Sequence, residues 1–233
     1  MLSTVLMDLD GTLTDPKEGI EGCIRYALAK LGAPPSSGGL EWCIGPPLRG
    51  SFARLLGTDD AAQLERAVDL YRERFAEKGM FENSVYPGIP DALERIRNAG
   101  CRLFLATAKA QDFAARIMAH FGLAEFFEGL YGSRRDGRFT EKSDLVAHLV
   151  KTEGLDPSRT IMVGDRKHDV IGGRDNGLRT AVVTYGYGSP EEIAAHRPDY
   201  VFDSPAAMAD FFAAQVASLP RGFAPGLAAA RQD

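Results

Sequence analysis

The chain predicts an α/β fold in which helices cover a mainly parallel sheet and an all-helical unit is inserted near the start. Three observations carry this. Short apolar runs alternate with segments of helical period over most of the 233 residues, the pattern of parallel strands joined by helical crossovers. One interval, residues 15–83, breaks the alternation and has no convincing strand. Acidic and hydroxyl residues recur at the ends of the expected strands, the edge at which open parallel sheets bind ligands.

Strands are expected at Thr4–Met7, Cys101–Ala106, Thr160–Val163, Thr180–Val183 and Tyr200–Phe202. In the interrupting interval two helical stretches, Glu18–Leu31 and Asp60–Lys78, flank the loop Ala33-Pro34-Pro35-Ser36-Ser37-Gly38-Gly39, a loop by composition. The chain returns to the alternating pattern at Tyr86-Pro87-Gly88. Beyond it Ile89, Leu93, Ile96 and Ala99 recur at helical spacing and Gly100 supplies a stop. Asp112–Phe121 before Gly122, and Lys142–Glu153 before Gly154, read the same way. The domain boundaries are therefore 1–14 with 84–218 for the core and 15–83 for the insertion. Residues 219–233, rich in Ala, Gly, Pro and Arg, are expected to be a loose tail.

The first strand runs into Asp8-Leu9-Asp10-Gly11-Thr12. Carboxylates two apart leave a strand on the same side, and two acids so close repel unless a cation lies between them or one is protonated. The glycine and threonine suit a tight turn whose N–H groups can face an anion. Three later motifs come in order. Leu103-Phe104-Leu105-Ala106-Thr107-Ala108-Lys109 ends a strand on a hydroxyl that can bond a phosphate oxygen with help from the next N–H. Lys142 precedes an apolar-periodic helix. Ile161-Met162-Val163-Gly164-Asp165 leads to a second aspartate, Asp169. Such oxygen ligands suit Mg²⁺; Asp169 equally suits a helix N-cap, and the two roles are compatible.

This order of motifs resembles the haloacid dehalogenase superfamily, and within it the aspartate-nucleophile phosphatases, over residues 5–202. The resemblance implies a Rossmann-like core with a helical cap inserted after the first motif. It implies that Asp8 is the nucleophile and a Mg²⁺ ligand. Asp10 would be the general acid/base, with its carbonyl on the metal. Thr107 and the N–H of Ala108 would bind phosphate, with Lys142 neutralising Asp8 and the phosphate. Asp165 and Asp169 would complete the metal site. Chemistry agrees with these roles, because attack by a carboxylate on an anionic phosphoryl group needs compensating charge.

Relatives that hydrolyse phosphonates or remove halide lack the second aspartate of the first motif, so Asp10 favours phosphate monoesters. Phosphosugar mutases keep it and stay an alternative. A non-catalytic regulator that binds a phosphometabolite is the third reading, and such a binder has no use for both Asp8 and Asp10.

For the substrate, Ile44-Gly45-Pro46-Pro47-Leu48-Arg49 and Tyr185-Gly186-Tyr187-Gly188 resemble segments of phosphoglycolate phosphatases and bacterial 5′-nucleotidases. Phosphoglycolate and nucleoside monophosphates are the leading candidates. Arg49 either meets a second anionic group or is a solvated helix-start arginine. Lys109 either meets the leaving group or lies at the surface. Trp42, the only tryptophan, is read as cap–core packing ahead of a base-stacking surface. His168 is read as facing solvent ahead of acting as a base. Pro16 gives a rigid exit from the core.

Composition excludes several classes. A net charge of −5 offers no basic stripe for nucleic acid. Cys23, Cys43 and Cys101 are scattered, form no CxxC pair, and point to a reducing, cytoplasmic setting. No apolar run reaches the ~18 residues of a membrane span, and no leader pattern opens the chain. The expected partner is a small phosphorylated metabolite, with neither nucleic acid nor membrane.

Overall fold

The computed structural model describes residues 1–34, 38–134 and 136–217. The expected tail, 219–233, lies outside the described residues, as does the middle of the 33–39 loop.

The chain opens with β1 (Thr4–Met7), every residue of which is buried. A turn leads to the two-residue β2 (Thr14–Asp15) and then to α1 (Lys17–Lys30), which buries Ile20, Cys23, Ile24 and Ala27 along one face. Next come α2 (Leu48–Leu56) and α3 (Ala61–Arg74). Asp60 caps α3 by accepting the Gln63 N–H at 2.7 Å. The stretch expected as one helix to Lys78 changes pitch at its end, into a π-helical turn over Phe75–Gly79. The chain re-enters the core through β3 (Ser84–Val85), which pairs antiparallel with β2. The helical insertion thus leaves and returns through adjacent strands.

The core continues with α4 (Ile89–Asn98), β4 (Arg102–Ala110), α5 (Gln111–His120), β5 (Gly129–Ser133) and α6 (Lys142–Glu153). It ends with β6 (Thr160–Gly164), α7 (Lys167–Asp175), β7 (Arg179–Val183), α8 (Pro190–His196), β8 (Tyr200–Phe202) and α9 (Pro205–Ala217). The six long-sheet strands lie in the order β5-β4-β1-β6-β7-β8, each neighbour parallel. From β1 the chain first builds outward through β4 and β5, then crosses back to build through β6, β7 and β8. The strand order reverses around β1, and the carboxyl ends of β4, β1 and β6 flank that switch point.

Period-two alternation sends side chains to two cores. Val5, Met7, Leu103, Leu105, Ile161 and Val163 join the larger core, which also takes in the insertion. Leu6, Phe104, Ala106 and Met162 face the smaller one beneath α6. The expected strands are present, and β4 runs on to Ala110 with a register shift between Thr107 and Ala110. Sequence pattern does not reveal β5. Its Gly-Leu-Tyr-Gly-Ser run lacks the β-branched residues that mark a strand, and it forms at the sheet edge because β4 offers it a partner. Pairs as short as β2 and β3 carry no periodic signal at all.

Candidate active site

At the end of β1 the N–H of Asp8 donates to the Val163 carbonyl of β6 at 2.9 Å, which holds the first acid beside the strand that delivers the others. The Leu9 N–H donates to Asp8 Oδ1 at 2.8 Å. Gly11 then turns the chain with φ +80°, and a Cβ there would lie 2.1 Å from Asp165 Oδ2, so both the dihedral and the space require glycine.

Asp165 follows β6 and is 1% exposed. Its Oδ2 accepts the Tyr187 N–H at 2.7 Å. The loop after β7 can approach this closely because residue 186 is glycine, where a Cβ would meet the Asp165 Cβ at 2.3 Å. Asp169 occupies the first turn of α7 and is also 1% exposed. The N-cap position expected for Asp169 is held instead by Arg166, whose N–H donates to Asp169 Oδ2 at 3.2 Å. Asp169 reaches back from the third helical position, as in a capping box.

A lysine at a helix start is usually solvated, but Lys142, the first residue of α6, is only 5% exposed. Its ammonium lies 2.8 Å from Asp169 Oδ1 and 3.1 Å from Asp8 Oδ1, and it donates to the Ala106 carbonyl at 2.8 Å. Burial works against the charge, but Asp169 and Asp8 outweigh it and hold the Lys142 pKa above its usual value. Asp8, Asp165 and Asp169 each offer a carboxylate oxygen within 4.8 Å of the others. Burial, then the charges of Asp169 and Asp8, push the Asp165 carboxyl well above the usual range. Three clustered acids share one lysine, and that lysine sits on Asp8 and Asp169 and not on Asp165. An oxygen-only donor set of this kind fits a hard divalent cation such as Mg²⁺.

Asp10 faces the same cleft. Burial raises its pKa, the Asp8 charge adds to that, and the cation of Lys109 opposes both. Of the two expectations for Lys109, the surface role is corrected. Its side chain is 8% exposed, lines the cleft, and places its ammonium 2.6 Å from Asp10 Oδ2. The ring of Phe75, from the insertion, lies 4.6 Å beneath that ammonium. Thr107 is buried at the register shift of β4, and Ala108 beside it is exposed to the cleft.

These residues share one cleft of about 450 Å³ between the sheet edge and the insertion. Ile20, Val68, Tyr71, Phe75 and Phe113 form its apolar wall. Arg49, exposed at the start of α2 as a solvated arginine would be, also lines the cleft and is ion-paired there with Glu65, another exposed lining residue. His168 lines the cleft too, half-buried, which corrects the solvent-facing expectation. Burial lowers its pKa, and Lys167 and Arg166 lower it further. Trp42 packs against the larger core under the Arg54 guanidinium, 4.2 Å from its ring, and is not among the cleft's lining residues. Sequence reasoning missed Tyr187 as a support of Asp165; only its place in the Tyr-Gly-Tyr-Gly run hinted at a close approach.

Comparison with known proteins agrees with this geometry. The family model described as haloacid dehalogenase-like hydrolase matches residues 5–183. A 5′-nucleotidase of Pseudomonas aeruginosa is 45% identical over 197 residues, 84% of this chain and 89% of that protein. Tyrosine-protein kinase PtkA of Mycobacterium tuberculosis is 41% identical over 190 residues, 81% of this chain but 64% of its own length. A crystal structure described as a predicted phosphatase from Clostridium acetobutylicum superposes with a TM-score of 0.84 at 37% identity, covering 94% of this chain and 100% of that one. The parallel sheet, the acids on its carboxyl edge and these matches together make the chain a member of the haloacid dehalogenase-like hydrolase family.

Proposed function

We propose that the protein is a Mg²⁺-dependent phosphohydrolase acting through an aspartyl-phosphate, with nucleoside 5′-monophosphates as its substrates. The observation that carries the reading is the meeting of Asp8, Asp165 and Asp169, with Lys142 on Asp8 and Asp169 and with Asp10 on the same edge. Asp8, Asp165, Asp169 and the Asp10 carbonyl would hold the cation, which supplies Lewis-acid stabilisation of the phosphoryl oxygens.

The chain's own residues perform the rest. Thr107 and the Ala108 N–H bind the non-bridging oxygens, and Lys142 neutralises charge between Asp8 and the phosphate. A carboxylate oxygen of Asp8 attacks phosphorus as the bond to the leaving oxygen breaks. Asp10, its pKa raised by burial, gives that oxygen its proton. Asp10 then takes a proton from water as the water oxygen attacks phosphorus, releasing inorganic phosphate and Asp8.

Residues 15–83 act as the cap that shields this chemistry from bulk water. The cleft supports a substrate larger than phosphoglycolate: about 450 Å³ with an apolar wall falls within the roughly 300–1,000 Å³ of pockets that enclose larger organic ligands. The similarity to a protein named 5′-nucleotidase supports the same class. Among the described residues no helix is long and apolar enough to cross a membrane. Three buried free cysteines support a reducing, cytoplasmic setting.

A phosphate-release panel of nucleoside monophosphates, phosphoglycolate and sugar phosphates, with Mg²⁺, tests the proposal. Preference for a nucleotide supports it. Preference for phosphoglycolate corrects the substrate, isomer formation identifies a mutase, and no turnover overturns the enzymatic reading.

A further inference from the structure

Arg166 stands in sequence between the two buried acids of the β6–α7 junction, Asp165 and Asp169, yet the hydrogen bonds of its guanidinium run elsewhere. Its Nε donates to Glu192 Oε1 at 2.9 Å and its Nη2 to Glu192 Oε2 at 3.1 Å, a fork-to-fork pair. Its Nη1 donates to the carbonyl of Ile44, in the insertion, at 2.6 Å. Glu192 is itself fixed. Its N–H donates to Ser189 Oγ at 3.2 Å at the start of α8, and its Oε1 also accepts the Lys167 N–H at 2.8 Å. The Arg166 and Glu192 side chains are 14% and 17% exposed, so the pair works with little screening by water.

The geometry joins two parts of the cleft. Ile44 opens the segment Ile44-Gly45-Pro46-Pro47-Leu48-Arg49, and all of it from Gly45 onward lines the cleft, as does Arg166. Two prolines stiffen the segment, so a hold on the Ile44 carbonyl orients residues 45–49 as well. The other end of the link is the β6–α7 junction, with Asp165 in the turn and Asp169 in the first turn of the helix. Arginine is suited to this task because its planar fork holds a carboxylate with two donors and keeps further N–H groups for a third partner.

We propose that Arg166 is a positioning residue: braced by Glu192, it latches the Ile44–Arg49 segment of the insertion onto the acidic loop and so sets the closed position of the cleft wall. The latch rests on the phosphohydrolase reading only in its kinetic consequence. The competing explanation is that Arg166 merely braces α7 against α8 through Glu192.

The test compares Arg166→Met, Arg166→Lys and Glu192→Gln with the wild type, full-length, by hydrogen exchange and by steady-state kinetics on the best nucleoside monophosphate. In Arg166→Met the amides of Ile44 and Ser51, which donate to the Glu41 and Pro47 carbonyls at 3.0 and 3.2 Å, should exchange about tenfold faster, the weight of one charge-assisted hydrogen bond. The amides of β6 should keep their protection. KM should rise by about tenfold with a smaller change in kcat, because closure is weakened while the reacting groups stay in place. Arg166→Lys should recover part of the protection, since one ammonium can reach Ile44 without the fork. Glu192→Gln, which keeps the arginine but loosens its brace, should fall between the two.

Unchanged exchange at Ile44 and Ser51 overturns the latch. So does equal acceleration across β6 and α7, the mark of a general brace, or a loss confined to kcat. If Arg166→Met does not fold, Arg166→Lys and Glu192→Gln decide the question by the same readout. A wild type that releases no phosphate overturns the phosphohydrolase reading alone, because the exchange comparison needs no turnover.

Discussion

Lys109 Nζ lies 2.6 Å from Asp10 Oδ2, so the carboxyl proposed to protonate the leaving group carries its own cation. Burial and Asp8 raise the Asp10 pKa while Lys109 pulls it down. Replacing Lys109 with methionine removes the downward pull and lets the pKa rise further. Asp10 must be protonated to act as an acid, so the alkaline limb of the kcat/KM profile should move to higher pH. The loss of activity should be about tenfold or more for a nucleoside monophosphate and smaller for p-nitrophenyl phosphate, whose leaving group needs little protonation. An unmoved alkaline limb would detach Lys109 from Asp10's chemistry.

Asp8→Asn keeps the shape and removes the attacking charge. Turnover should fall by at least about a thousandfold. The same change relieves repulsion with Asp165 and Asp169, so the metal-free protein should melt at the wild-type temperature or above. Mass spectrometry must exclude deamidation back to aspartate. Activity within about tenfold of wild type, or a large drop in melting temperature, would count against the assignment.

Chelation should abolish activity and Mg²⁺ should restore it, while Ca²⁺ should inhibit. Stability supplies a second readout. Burial and neighbouring acids raise the folded-state pKa of Asp165. Such a group favours the fold fully below the ordinary carboxylate range, and that contribution is lost as pH rises through the raised folded pKa. In EDTA the melting temperature should therefore fall as pH rises from the ordinary carboxylate range toward neutrality. Asp165→Asn should flatten this slope, and Mg²⁺ should raise the wild-type melting temperature at neutral pH but not that of the variant.

Arg49 is paired with Glu65 at the cleft wall. Arg49→Ala should raise KM for a substrate with a second anionic group by several-fold, with p-nitrophenyl phosphate nearly unaffected. Glu65→Gln should do the opposite by releasing Arg49 for the substrate. Equal kcat/KM ratios for the two substrates in wild type and both variants would make the pair structural.

The core was the most legible part of the fold. Its buried strands are short apolar runs that end on turn-forming glycine or on polar residues, and Gly100, Gly122 and Gly154 mark where helices stop. The edge strand β5 and the pair β2–β3 were not legible, since each exists through its partner strand rather than through its own residues. Asp8, Asp10, Asp165 and Thr107 could be nominated because each stands at or just beyond an expected strand end, where position along the chain already implies position on the sheet edge, and Asp169 because it follows Asp165 by four residues.

Local sequence determined which residues leave each strand at its carboxyl end, because side-chain period and turn chemistry act within a few residues. It could not determine that Lys109 would pair with Asp10, that Lys142 would be buried between Asp8 and Asp169, or that Arg166 would hold Ile44. A lysine or arginine is solvated by default, and only burial beside a distant carboxylate or carbonyl makes its charge specific. Those partners are brought together by the parallel order β4-β1-β6 and by the return of the insertion through β2 and β3. Long-range pairing of that kind is a property of the packed sheet and leaves no trace in any short window of the chain.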